Sequence, residues 1–245
     1  MPRFFIPKEQ IPTITGSDVH HIRDVLRMKT GDFLELLDGT GKVYRVRILK
    51  IEQERIICEI ISQQQIETEP KVKVTIAQAL PKGRKMDLVV EKCTELGVYQ
   101  IIPMLTERTI AKTAKLDRWR KIAKSAAEQS GRGTIPEVSP LTSFEDILKM
   151  RKQFDLALIP WELEKEKTLK QVLKNFLIPQ SSNLQIPISR SSNILILVGP
   201  EGGFAQKEID LAKEAGFISI SLGKRILRTE TAGLMILSAL IYEFD

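Results

Sequence analysis

The spacing of apolar and polar positions changes character near Pro70. Before it the periods are short. Residues 33–37 and 43–51 are β-rich and flank Asp38-Gly39-Thr40-Gly41, a hairpin signal, and 55–61 is a third β-rich run. Within the second run Val43, Arg45, Arg47 and Leu49 alternate with Tyr44, Val46, Ile48 and Lys50. One face therefore carries arginine and the other is largely apolar. A helix interrupts these strands, capped by Ser17 or Asp18, with Val19, Ile22, Val25 and Leu26 as its expected buried stripe. Residues 63–70 are polar and read as a linker. The pattern predicts a small barrel-like β module over 1–70.

After Pro70 strand and helix alternate. Residues 72–80 form an apolar strand, and Met86, Val89, Val90 and Cys93 then fall at helical spacing before a stop at Gly97. A strand over 98–105 precedes a basic helix that Asp117 opens and that runs to about Ser130. Residues 154–159 and 194–198 are continuous apolar runs, as strands covered on both faces require. A helix over 206–215, a short strand over 217–222 and a helix over 232–244, apolar nearly all round, complete the chain. This alternation predicts an α/β domain with a mostly parallel sheet over 71–245. Residues 178–193, rich in Ser, Asn, Gln and Pro, read as a long flexible connection.

Composition narrows the function classes. The chain has 245 residues, 42% hydrophobic and 28% charged, enough for a sizeable core. The strongest apolar run is too short to cross a bilayer, and the N-terminus shows no cleavable signal pattern. A cytoplasmic location and no membrane partner are expected. Two cysteines, Cys58 and Cys93, make no disulfide framework. The histidines are the adjacent pair His20 and His21, so no metal site is expected. The net charge of +6 is concentrated: residues 82–132 hold twelve Lys/Arg against six Asp/Glu, and the rest of the chain is neutral. Such a segment reads as a polyanion contact or as a solvated helical surface.

Two late segments carry candidate chemistry. Gly199-Pro200-Glu201-Gly202-Gly203-Phe204 joins a buried strand to a helix, the place where open α/β sheets bind ligands. It is neither a phosphate loop nor a dinucleotide fingerprint. Leu222-Gly223-Lys224-Arg225-Ile226-Leu227-Arg228-Thr229 also follows a strand and opens a helix, with Thr229 placed to cap it. Together, GPEGGF at 199–204 and LGKRILRTETA at 222–232 resemble the RsmE family of 16S rRNA (uracil-N3)-methyltransferases in the SPOUT superfamily. The resemblance extends to Leu80-Pro81-Lys82-Gly83, Thr94-Glu95-Leu96-Gly97-Val98, Glu107-Arg108 and Ala127-Glu128-Gln129-Ser130-Gly131-Arg132, and covers essentially the whole chain. Lys224 departs from it, standing where the family often has proline.

The resemblance implies a PUA-like β-barrel followed by an α/β domain with a trefoil knot, and a homodimer. It implies S-adenosylmethionine as cofactor, held by Leu197, Gly199, Gly202, Gly203, Leu222, Gly223, Ile226 and Leu227. The implied reaction is methyl transfer to N3 of a uridine in 16S rRNA of the small ribosomal subunit. Arg228 is the candidate cation for the uracil anion. Glu201 is a candidate for proton handling, for orienting Arg228, or for a purely structural turn. RNA contacts are expected from Arg3, Arg23, Arg27, Lys82, Arg108, Glu128, Gln129 and Arg132. Ribose 2′-O-methylation, which other SPOUT families perform, and a non-catalytic RNA-binding or assembly role remain the alternatives.

Overall fold

A computed structural model of the chain describes residues 1–177 and 192–244. The connection expected over 178–193 lies outside the described residues except for Ser192 and Asn193. The chain divides into two compact units. The first comprises Met1–Glu69 and Lys124–Ile135, the second Pro70–Ala123 and Pro136–Asp245. A linear cut at 70 leaves 124–135 with the second unit, whereas those residues pack with the first.

The first unit is built on one five-stranded sheet. Its strands are β1 (Arg3–Phe5), β2 (Thr13–Thr15), β3 (Phe33–Leu37), β4 (Lys42–Ile51) and β5 (Arg55–Gln65), in the order β1-β3-β4-β5-β2. The β3–β4 turn is closed by Asp38, whose carboxylate accepts from the Thr40 N–H at 2.9 Å and from its hydroxyl at 2.7 Å. Tyr44, Val46 and Ile48 are buried while Arg45, Arg47 and Leu49 are exposed, as the alternation predicts. Two expectations need correction. β5 runs on to Gln65, because β4 is long enough to pair with residues through 65, and polarity there reflects exposure. The helical stripe also ends early. A short α1 (Ser17–His20) passes into a π-helical turn over His21–Val25, and the wider turn carries later positions off the buried face. Val19 and Ile22 are buried, but Val25 is 61% and Leu26 41% exposed.

Residues 124–135 belong to this unit for visible reasons. Ala127 clusters with Phe5, Leu37 and Val43. Glu128 accepts the Phe5 N–H at 2.9 Å, and Lys124 bonds Asp18 at 2.7 Å. The buried Arg132 guanidinium pairs with the partly exposed Glu69, which also accepts from the Gly133 and Thr134 N–H groups.

The second unit is a parallel sheet between helices. Its strands are β6 (Lys73–Ala79), β7 (Gln100–Leu105), β8 (Glu137–Val138), β9 (Thr142–Ser143), β10 (Leu156–Pro160), β11 (Asn193–Val198) and β12 (Ile218–Ile220). The order is β12-β10-β11-β6-β7-β8, with β9 also on β7, and every pairing is parallel. Strand periodicity divides the side chains between two cores. Ile76, Ile194, Ile196 and Leu158 face α2 (Lys85–Glu95), α5 (Leu169–Leu177) and α7 (Thr229–Phe244). Ala77, Leu195, Leu197 and Ile159 face α4 (Phe144–Lys149) and α6 (Gln206–Glu214). The division between units falls inside α3 (Leu116–Ser130). The chain reverses at Gly97, whose φ is 91°, and there an added Cβ would lie 2.5 Å from the Pro70 ring.

Candidate active site at the strand ends of the parallel sheet

The second unit carries a cavity of about 450 Å³ where β10, β11 and β12 end. Three loops wall it. After β11 the chain turns through Gly199–Phe204, with the Gly203 N–H donating to the Pro200 carbonyl at 3.0 Å and Gly203 at φ 66°. A Cβ at Gly199 would lie 3.1 Å from the Phe204 ring, so no larger residue fits without displacing it. After β12 the chain passes Ser221 to Arg228 and enters α7. After β10 it supplies Trp161 and Glu162, with Trp161 N–H bonded to the Ile220 carbonyl at 3.0 Å.

The charged groups are arranged around Lys85. Its ammonium bonds Glu201 Oε1 at 2.8 Å and lies 3.8 Å from Glu230 Oε2. Glu201 Oε1 also accepts the Lys82 backbone N–H at 3.0 Å. Burial alone pushes the Glu201 carboxyl up, but hydrogen bonds from Lys85, its own backbone and Lys82 outweigh it, and the net shift is downward. The Glu201 hydrogen bond raises Lys85, against desolvation and the nearby Arg228. Arg228 is exposed on the cavity wall and has no hydrogen bond or ion pair from its guanidinium among the described residues. Glu201 therefore holds Lys85; it does not orient Arg228. The thiols are no candidate nucleophiles: burial pushes Cys58 up to about 11 and Cys93 up to about 12.

Residues 68–241 match an RNA methyltransferase domain, and residues 14–61 an RNA methyltransferase PUA domain. Over its whole length the chain is 36% identical to the ribosomal RNA small subunit methyltransferase E of Bacillus subtilis, covering 98% of that protein. This chain belongs to the ribosomal RNA small subunit methyltransferase E family. Two solved structures share its fold. One is the methyltransferase E of Neisseria gonorrhoeae bound to S-adenosyl methionine, 34% identical with a TM-score of 0.83, covering 99% of this chain and 98% of that one. The other, a Legionella pneumophila protein in complex with bound SAM, is 31% identical with a TM-score of 0.86 at the same coverage. The β-sheet unit and the parallel α/β unit are the PUA-like and knot-class domains of this family.

Most residues expected to hold a cofactor in this family line the cavity: Gly199, Gly203, Leu222, Gly223, Ile226 and Leu227, with Glu201 and Arg228 beside them. Leu197, expected to contribute its backbone, is not among the lining residues, and its side chain packs in the opposite core. Nor is Gly202; its carbonyl accepts from the Arg108 guanidinium at 2.8 Å, on the outer side of the loop. Arg108, expected at RNA, thus braces the glycine loop. Of the other expected RNA residues, Arg3 pairs with Glu35 at 2.6 Å and Arg23 with Asp24 at 2.8 Å. Arg27, Lys82 and Gln129 are exposed. Arg132 is only 5% exposed and Glu128 is engaged with Phe5, so both serve the packing of the first unit.

The cavity is also lined by Lys85, Trp161 and Glu162, which no sequence motif singled out, and by Phe204 at the end of the glycine segment. Trp161 and Glu162 directly follow an apolar run, so the strand-end rule that found Gly199 would have found them. Thr229 was expected to cap α7, yet its hydroxyl donates to the Gly199 carbonyl. Among the described residues no group of three or more His, Cys, Asp or Glu could hold a metal, and no helix is long and apolar enough to cross a membrane.

Proposed function

We propose that this chain methylates N3 of a uridine in 16S rRNA of the small ribosomal subunit, using S-adenosylmethionine. The observation that carries the reading is the cavity between the two glycine-bearing loops, in a chain whose relatives were solved with that cofactor in place. The residues present fit the cofactor. Leu222, Ile226, Leu227 and Phe204 offer apolar surface for an adenine ring, and Glu162 and Glu201 offer carboxylates to a sulfonium or ammonium. When bound, the group supplies an electrophilic methyl, and no metal is needed. The protein's part is alignment and electrostatics. Arg228, unpaired on the wall, stabilises the uracil oxygen as N3 gives its proton to solvent water and accepts the methyl. Glu201, which accepts from Lys85, from Lys82 and from its own backbone and is held ionised, anchors Lys85 and is a poor base. Its carboxylate keeps the Gly199–Phe204 loop joined to the start of α2.

RNA grip in the first unit is assigned to Arg3, Arg23, Arg27 and Gln129, and in the second to Lys82. The protein works in the cytoplasm as a homodimer, with Met235 and Tyr242 on the exposed face of α7 as the contact between copies. The deciding experiment incubates purified protein, 16S rRNA or small subunits, and labelled cofactor, then identifies the nucleoside by mass spectrometry. 3-Methyluridine is expected. A ribose-methylated nucleoside replaces the base acceptor by the 2′-oxygen, and no incorporation leaves an RNA-binding factor.

A further inference from the structure

The two loops of the cavity are far apart in sequence, yet one hydroxyl joins them. Gln78 lies at the end of β6, fully buried, and its side-chain Nε2 donates to the Ala79 carbonyl at 3.0 Å and to Thr229 Oγ1 at 2.8 Å. Thr229 is the first residue of α7 and lines the cavity. Its hydroxyl donates to the Gly199 carbonyl at 2.5 Å. The direction of this chain is fixed by its ends. A carbonyl can only accept, so the NH₂ end of Gln78 must face Ala79 and the single Thr229 proton must go to Gly199. Turning the amide over would set two acceptors against each other at Ala79.

The arrangement does not serve stability well. Gln78 Oε1 is buried without a partner among the described residues. A Cβ added at Gly233 of α7 would meet Val198 at 3.4 Å, Gln78 Oε1 at 3.8 Å and Ile76 at 3.9 Å, so the unmet oxygen faces a glycine of the helix. An unmet acceptor there works against folding, and an apolar side chain of equal length would pack at least as well. What the amide provides is its two N–H bonds, one of them to Thr229. Gly199 is thereby pinned on two sides, by the Phe204 ring against its Cα and by the Thr229 hydroxyl at its carbonyl.

We propose that Thr229 is a positioning residue that locks the Gly199–Phe204 loop to the start of α7, with Gln78 as its anchor in the sheet, and so sets the affinity for S-adenosylmethionine. The inference rests on the reading of this cavity as the cofactor site. Its test is cofactor affinity by calorimetry on the full-length protein, with thermal melting alongside. Thr229→Val keeps the shape and removes the hydroxyl, and affinity should fall about tenfold, the worth of one well-made buried hydrogen bond. Thr229→Ser restores the donor and should recover affinity to within about threefold of wild type. Gln78→Met removes both the anchor and the unmet acceptor, so its melting temperature should equal or exceed wild type while affinity falls. This second variant carries the test if Thr229→Val does not fold. A merely structural role moves affinity only together with melting temperature. The inference is overturned if Thr229→Val or Gln78→Met, folded, binds the cofactor as wild type does, or if Thr229→Ser is as weak as the valine variant. If the wild type itself binds no cofactor, the reading of the cavity fails instead.

Discussion

Arg228 and Glu201 stand on one cavity wall under opposite conditions. The guanidinium is unpaired, whereas the carboxylate already accepts from Lys85, from Lys82 and from its own backbone. An unpaired cation can respond to charge that develops in a substrate, and a carboxylate whose pKa is held below its ordinary value is a poor proton acceptor. Arg228→Ala should therefore keep cofactor affinity and melting temperature while turnover falls about 10²–10³-fold, as when one anion-stabilising donor is lost. Turnover at the wild-type rate by the folded variant removes Arg228 from the chemistry. The Glu201–Lys85 pair has a pH signature of its own. The Glu201 pKa lies below its ordinary 4.5, so its contribution is full above that value and is lost as pH falls through the lower folded value. The Lys85 pKa lies above 10.5, so its contribution is full below that and is lost as pH rises through the raised value. Cofactor affinity should thus be flat across neutral pH and decline on the acid side only below the ordinary glutamate range. In Glu201→Gln that acid decline disappears. An affinity that titrates near neutrality assigns control to another group.

At the level of elements, the continuous apolar runs of β10 and β11 and the spacing of α2 were legible because burial on both faces, or on one stripe, leaves a simple pattern. The two-residue strands β8 and β9 and the short α4 leave no period long enough to read. The π-helical turn after α1 broke a helical stripe that the sequence presents as intact. The candidate site divided in the same way. Glycine turns and a lone arginine are visible in a sequence, but the partner of a carboxylate or hydroxyl is not, so Lys85 and Gln78 emerged only from the fold. The α7 helix shows how a pattern misleads: it reads as apolar all round, yet Leu237 is fully buried while Met235 and Tyr242 are exposed on another face. Leu237→Ala should cost roughly 2–5 kcal/mol in denaturant unfolding, since its surroundings are a packed core. Met235→Lys with Tyr242→Arg should leave that stability unchanged and sediment as a monomer, where the proposed homodimer requires the unaltered protein to sediment as a dimer. A double variant that still sediments as a dimer places the contact elsewhere.

For the whole molecule, charge counting along the chain overstates what is available to RNA. Within the basic segment Arg118 is tied to Asp87, Lys92 to Glu91 and Glu95, Lys85 to Glu201, Lys124 to Asp18 and Arg132 to Glu69. Lys82, Arg84, Lys112, Lys115 and Lys121 have no ion pair among the described residues, and neither do Arg108 and Arg120, which bond only backbone carbonyls; these are the cations left for phosphate. In the first unit, Arg27 is exposed and free of ion pairs among the described residues, and Arg23 must share itself with Asp24. Replacing both with alanine should lower the slope of log affinity against log salt by about 1.4 to 1.8 if each meets a phosphate. An unchanged slope and affinity make them a solvated face.

The return of residues 124–135 to the first unit has a consequence for inheritance and for engineering. The module that begins at Met1 is not a cassette that one cut can remove. Exchanging residues 1–69 for those of a relative separates the native Arg132 from the native Glu69, and Ala127 from the apolar cluster it completes. A buried guanidinium deprived of its carboxylate is costly, so such a chimera should melt well below one that also exchanges 124–135. Equal melting temperatures would mean that the pairing tolerates foreign partners. Recombination that respects the fold must therefore cross over three times, at 69, before 124 and after 135, and single-crossover shuffling of this module should return mostly unstable proteins.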